Sequence, residues 1–74
     1  MPPLPIVSGA QCIAALRVFG YSIARQSGSH VRLVCGGRAP VTVPLHATLK
    51  RGTVPSILRV AKISVEHFVG ALAS

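Results

Sequence analysis

A chain of 74 residues sets eight Lys and Arg against one acid, Glu66, for a formal charge of +7, with half its residues hydrophobic and only 4% aromatic. That balance excludes a disordered tail, leaves room for one domain only (residues 1–74), and argues against both a carboxylate-built metal site and recognition by base stacking. With a pI near 11.4 the partner should be polyanionic or acidic, and nucleic acid comes first because phosphates reward spread basic charge through counterion release.

Residues 1–7, rich in proline, read as an extended leader. It has no basic n-region, and Arg17 interrupts the apolar run that follows, so it does not read as a secretory signal. No stretch approaches the roughly 20 apolar residues that span a bilayer. The expectation is a soluble, cytoplasmic protein.

Ser8 suits a helix N-cap, and Cys12, Ile13, Leu16 and Phe19 recur at helical spacing up to Gly20, which sits where helices stop. Arg17 is the only charge in this helix, which leaves it little polar surface and predicts partial cover on both sides. Cys12 and Cys35 show no CxxC or metal-ligand spacing. They read as buried thiols of a reducing compartment.

Residues 21–26 read as a first strand with Tyr21 and Ile23 inward and Ser22 and Ala24 outward. On this parity Arg25 also points inward at the strand end, where it would either brace a helix terminus or touch a nucleic acid. Ser27-Gly28-Ser29 turns the chain into a second strand, 30–35, in which Val31, Leu33 and Cys35 alternate with His30, Arg32 and Val34. A third strand follows at about 39–45, with Val41, Val43 and Leu45 inward.

Inward residues must pair with inward ones across a ladder. A two-residue loop at Gly36-Gly37 would set Leu33 opposite Pro40, so a three-residue loop including Arg38 is expected, pairing Leu33 with Val41 and Val31 with Val43. His30 then faces Pro44, and His46 falls diagonal to it at roughly 7–8 Å. Pro40 and Pro44 mark the third strand as an edge, which puts the second in the centre of an antiparallel meander.

Residues 47–52 form a loop carrying Lys50 and Arg51. Thr53 is expected to cap a second helix, with Pro55 in its first turn and Ile57, Leu58 and Ala61 as its apolar stripe. Ser64 starts a last short helix, with Glu66 in its first turn and Phe68, Val69 and Leu72 to pack. The class is α+β, in the order α-β-β-β-α plus a short C-terminal helix.

Gly20-Tyr21, then Arg25-Gln26-Ser27-Gly28-Ser29-His30, then Val41-Thr42-Val43-Pro44-Leu45-His46, then Gly52-Thr53 followed by Ser56-Ile57-Leu58, resemble in order the blocks of the HicA family of bacterial toxins, small mRNA interferases. The resemblance implies a fold like the double-stranded RNA-binding domain, with the helices on one face of the three-stranded sheet. It implies that His30 is catalytic and that the partner is an antitoxin of the HicB type, acidic and bound in a hetero-oligomeric complex. Two departures stand out: Lys62 occupies a position where many members have glycine, which questions the end of the second helix, and the proline-bearing leader is unusual.

Cutting RNA without a metal or other cofactor requires taking the proton from a ribose 2′-OH, holding the phosphate in line and protonating the leaving 5′ oxygen. Imidazole titrates near neutrality and serves as acid or base. His30 fills that role on this reading, with Arg32, Lys50 and Arg51 on the RNA backbone. His46 is either a second proton-transfer group, an RNA contact or a loop anchor. Ser29 is either a turn residue or a hydrogen-bond donor to phosphate, and Lys50 and Arg51 are otherwise a solvated loop. His67 reads as surface. Two other functions are compatible with the same residues: a non-catalytic double-stranded RNA-binding module, or a basic adaptor for an acidic protein.

Overall fold

The computed structural model describes residues 4–73; residues 1–3 of the expected leader, and Ser74 at the end of the expected domain, lie outside the described residues. Residues 4–7 carry neither helix nor strand. They are fastened by Val7, which is buried and whose carbonyl accepts from the Leu49 N–H at 2.9 Å.

Ser8 opens helix α1 (Gly9–Val18) with a reciprocal cap: its hydroxyl accepts from the Gln11 N–H at 3.0 Å, and the Gln11 side chain accepts from the Ser8 N–H at 2.8 Å. Two otherwise orphaned donors are thereby satisfied. Cys12, Ile13, Ala15 and Leu16 are buried, a broad stripe for ten residues, because α1 packs on the sheet and on the last helix at once. Gly9 lies so close to the end of the third strand that a Cβ there would run into the Pro44 carbonyl oxygen.

The strands are β1 (Ser22–Ser27), β2 (His30–Cys35) and β3 (Arg38–Pro44), antiparallel in the order β1-β2-β3. The central position of β2 and the pairs Leu33–Val41, Val31–Val43 and His30–Pro44 are as the parity argument requires. Val31, Leu33, Val41 and Val43 are buried beneath the helices, while His30, Arg32, Val34 and Thr42 are exposed on the other face. The fold is the expected α+β arrangement with helices on one side of the sheet.

Four details of the sheet differ from expectation. The β2–β3 loop has two residues, Gly36 and Gly37, closed by a Cys35–Arg38 pair; the register survives because an irregularity sets Ala39 and Pro40 opposite Val34. The extra residue sits in a bulge instead of in the loop. Along β1 every residue is exposed, and Ile23, expected in the core, is 49% accessible. Tyr21, just before the strand, is buried as expected, but the helices do not extend over β1 itself. Leu45 is also exposed, since β3 ends at Pro44 and the inward alternation stops there. Cys35 is half-buried, unlike Cys12, which is fully enclosed.

Helix α2 (Thr53–Ala61) buries Val54, Ile57, Leu58 and Ala61. Its N-cap is Gly52, with no side-chain hydrogen bond, and Thr53 is the first helical residue where it was expected to be the cap. Ser64 caps α3 (Val65–Leu72) by accepting from the His67 N–H at 3.1 Å, and Phe68 from that helix is fully buried.

Arg38 binds these parts together. Its Nη1 donates to the Ala61 carbonyl at 2.9 Å and to the Lys62 carbonyl at 3.3 Å, and its guanidinium lies 5.7 Å from the centre of the Phe19 ring. One cation from β3 thus serves the exposed carbonyls at the end of α2 and the aromatic face at the end of α1. Beside it, the Tyr21 hydroxyl donates to the Ala39 carbonyl at 2.7 Å, so the carbonyl freed by the bulge is satisfied. Burial raises the Tyr21 pKa, the Cys35 charge adds to the rise, and Arg38 acts against it.

Lys62 ends α2 in the left-handed region, at φ 58° and ψ 45°. The helix stops where a glycine would stop it, but a side chain in that conformation costs about 1–2 kcal/mol. Replacing it should therefore help: Lys62→Gly is expected to raise unfolding stability by about 0.5–1 kcal/mol, after the added freedom of the unfolded chain is offset, as read from urea midpoints.

Burial pushes the Cys12 thiol from 9.0 up to about 11. Below pH 9 both folded and unfolded chains keep the proton, so this group leaves stability unchanged. Above it the unfolded chain deprotonates first, and stability should fall between pH 9 and about 11, with Tyr21 acting in the same direction. Urea midpoints followed across this range check the expectation; a flat profile would contradict it.

Candidate nucleic-acid interface

The β1–β2 connection is a two-residue turn, Gly28-Ser29, closed by the Ser27–His30 pair. Gly28 has φ +58°, as the first central residue of a hairpin turn of the II′ type requires. The turn is fastened from two sides: the Gln26 side-chain amide donates to the Gly28 carbonyl at 3.1 Å, and the Ser29 carbonyl accepts from the Leu45 N–H at 2.6 Å. His30 is consequently held as the first residue of the central strand, with Ser27 on one flank and Pro44 on the other. Its imidazole is exposed and has no side-chain hydrogen bond among the described residues. Ser29, at the turn beside it, is exposed as well.

Arg32 shares the face with His30 two residues along, about 7 Å by strand geometry. Its Nη1 donates to the Thr42 hydroxyl at 3.2 Å, which leans the guanidinium toward β3. Across from Arg32 on β1 stands Arg25. This corrects the inward placement expected from parity: Ala24 is an extra residue between the Ile23–Leu33 and Arg25–Arg32 pairs, and beyond it every β1 side chain has changed faces. The helix-bracing role considered for Arg25 belongs to Arg38.

The open face therefore carries His30, Arg32, Arg25, Ser27 and Thr42. The chain's one acid, Glu66, lies in the first turn of α3, within the helical layer on the other side. An anion approaching the open face meets positive charge and no opposing carboxylate. Such a surface can hold a phosphodiester against an imidazole free to take or give a proton.

The other expected site residues are arranged differently. His46 is exposed past the end of β3, where the ladder that would have set it diagonal to His30 has stopped, and its carbonyl accepts from the Gly9 N–H at 2.9 Å. Lys50 and Arg51 are exposed on the loop entering α2, where they line a groove of about 620 Å³ together with Pro5, Val7 and Pro55. The structure thus gathers His30 and Arg32 on one face with Ser29 at its rim, and sets the Lys50-Arg51 pair beside the leader. His67 is exposed on α3. Among the described residues no three His, Cys, Asp or Glu side chains come together as a metal-binding set.

Sequence reasoning did not place Arg25 and Thr42 in this group. An inward Arg25 would have had no carboxylate to neutralise it, but helix-end carbonyls could have served instead, as they do for Arg38, so the residues did not mark the bulge. Thr42 had the correct outward parity and was passed over for lack of charge.

A family model described as the HicA toxin of bacterial toxin-antitoxin matches residues 9–63, about three quarters of the chain, from the start of α1 to just beyond α2. No curated protein matches the chain.

The turn that sets His30 depends on backbone freedom at Gly28 alone, because a Cβ there would meet nothing within 4 Å. Gly28→Ala is expected to cost about 1–2 kcal/mol through the positive φ and not through a clash. Urea unfolding of the two proteins measures it; an unchanged midpoint would show that the turn relaxes to another form.

Proposed function

The chain belongs to the HicA toxin family, and we propose that it is an endoribonuclease that cleaves mRNA with His30 as its proton-transfer group. Family membership makes it the toxin of a toxin-antitoxin system, with a cognate antitoxin as partner. On the reading offered here that antitoxin is of the HicB type, acidic, and inhibits by occupying the basic open face of the sheet. No helix among the described residues is long and apolar enough to cross a membrane.

One observation carries the reading: an exposed, unpartnered imidazole is held by a fastened turn next to arginines on a face without acids. In the proposed reaction the ribose 2′ oxygen loses its proton and attacks phosphorus. The bond to the 5′ oxygen breaks, that oxygen receives a proton, and a 2′,3′-cyclic phosphate is left. His30 performs one of the two proton transfers. Arg32, already steadied by Thr42, holds the RNA backbone next to the reacting phosphate, and the Ser29 hydroxyl is a donor to that reacting phosphate. His46, Lys50 and Arg51 extend the basic surface along which the rest of the RNA lies.

Paired induction of the native and His30→Ala chains in a host without the antitoxin tests this. The native chain should arrest growth and deplete full-length mRNA. The variant, altered at an exposed side chain and therefore equally folded, should do neither, with a loss of cleavage of about 10²–10⁴-fold in vitro. Growth arrest by an equally abundant His30→Ala protein would overturn the assignment, and salt-sensitive RNA binding without cleavage by the native chain would favour the binding-module reading.

A further inference from the structure

Arg25 and Arg32 occupy directly opposed positions on adjacent strands of the open face. Like charges so placed repel, and ladders normally avoid them. Here nothing relieves the repulsion: Arg25 has no side-chain partner among the described residues, and the sole acid, Glu66, lies in the helical layer. Arg32 turns to the neutral Thr42 hydroxyl on the far side. The bulge at Ala24 has also spent a ladder position to bring Arg25 to this face.

From this juxtaposition we infer that Arg25 and Arg32 together form a clamp for one RNA phosphate, adjacent to the phosphate at His30. The inference rests on the reading of the open face as the RNA-cleaving surface. Two guanidiniums on neighbouring strands can converge on one anion once Arg32 exchanges the Thr42 hydroxyl for it, and their forks of N–H donors suit bidentate capture of phosphate oxygens. The seated anion replaces the cation–cation repulsion with two attractions. The separation of about 7 Å between His30 and Arg32 along the strand is on the scale of one nucleotide step, so the clamp anchors the chain next to the scissile bond and sets its register. Arg25 is accordingly a positioning residue, acting through the phosphate it holds.

The test uses the full chain and a single-stranded RNA methylated at every 2′ oxygen, which cannot be cut by 2′ attack, so binding is read apart from catalysis. Arg25→Ala is expected to weaken binding about 10-fold or more at low salt, and Arg25→Lys to recover only part of it, since lysine lacks the fork. Arg17→Ala, a cation removed from the last turn of α1, should stay within about 2-fold of the native chain. Thermal melting of Arg25→Ala at or above the native midpoint establishes that the fold is intact. Arg25→Ala binding as tightly as the native chain overturns the clamp even if His30-dependent cleavage persists. Loss of antitoxin binding without loss of RNA binding also overturns it, because the anion would then be a partner carboxylate. If the native chain binds no RNA at low salt, the nuclease reading fails, and the clamp fails with it.

Discussion

With a single carboxylate for eight lysines and arginines, the cations of this fold have to be accommodated by something other than side-chain acids. The chain does so with carbonyl oxygens, an aromatic face and hydroxyls. Arg38 gathers the last carbonyls of α2 and the ring of Phe19; Arg32 takes the Thr42 hydroxyl; Arg17 and Arg59 sit in the last turns of α1 and α2, where the helix dipole is negative. These arrangements attract less strongly than an ion pair in a dry interior, but they need no buried carboxylate. Among the described residues no enclosed side-chain polar atom is left without a hydrogen bond.

The same scarcity divides the molecule into two surfaces. Cations that can reach a helix end become structural, as Arg38 does where β3, α1 and α2 meet. Cations on the open face of the sheet have no such ends within reach and stay available to an outside anion. His30 stands among the second group because a tight turn delivers it to the first position of the central strand, the part of the sheet held most firmly from both sides.

Much of this was legible in the residues. Alternation in β2 and β3 is strict where one face is buried, so the pairing of Leu33 with Val41 and of His30 with Pro44 followed from parity, and the prolines marked the edge. Ser8, Gly28 and Ser64 announced their turns and caps by residue type. The bulges were not legible in that way. Inserting one residue leaves no mark on composition, and in β1, where every side chain is exposed, no inward requirement exposes the slip at Ala24. The inward position of Arg25 was lost at that point, whereas Ile23, still paired with the inward Leu33, is exposed because the helices do not reach over β1. The β2–β3 loop shows the converse: its register was right although its length was not, because buried valines fix the pairing while the bulge absorbs the spare residue. At the site, His30, Arg32 and Ser29 were placed by parity, whereas His46, Lys50 and Arg51 follow a strand end and a loop, whose path depends on contacts with α1 and the leader.

The approach of Gly9 to the Pro44 carbonyl gives the fold a seam at which two distant parts of the chain are nearly fused. Its N–H is taken up by the His46 carbonyl, so the start of α1 rests on the segment where β3 leaves the sheet, just beyond the position opposite His30. Any side chain at position 9 has to prise that seam open. For a toxin this has a genetic meaning: under selection for survival without antitoxin, codon 9 is a place where replacing glycine would disturb the support beneath the turn, far in sequence from the histidine and without altering a single charge on the open face.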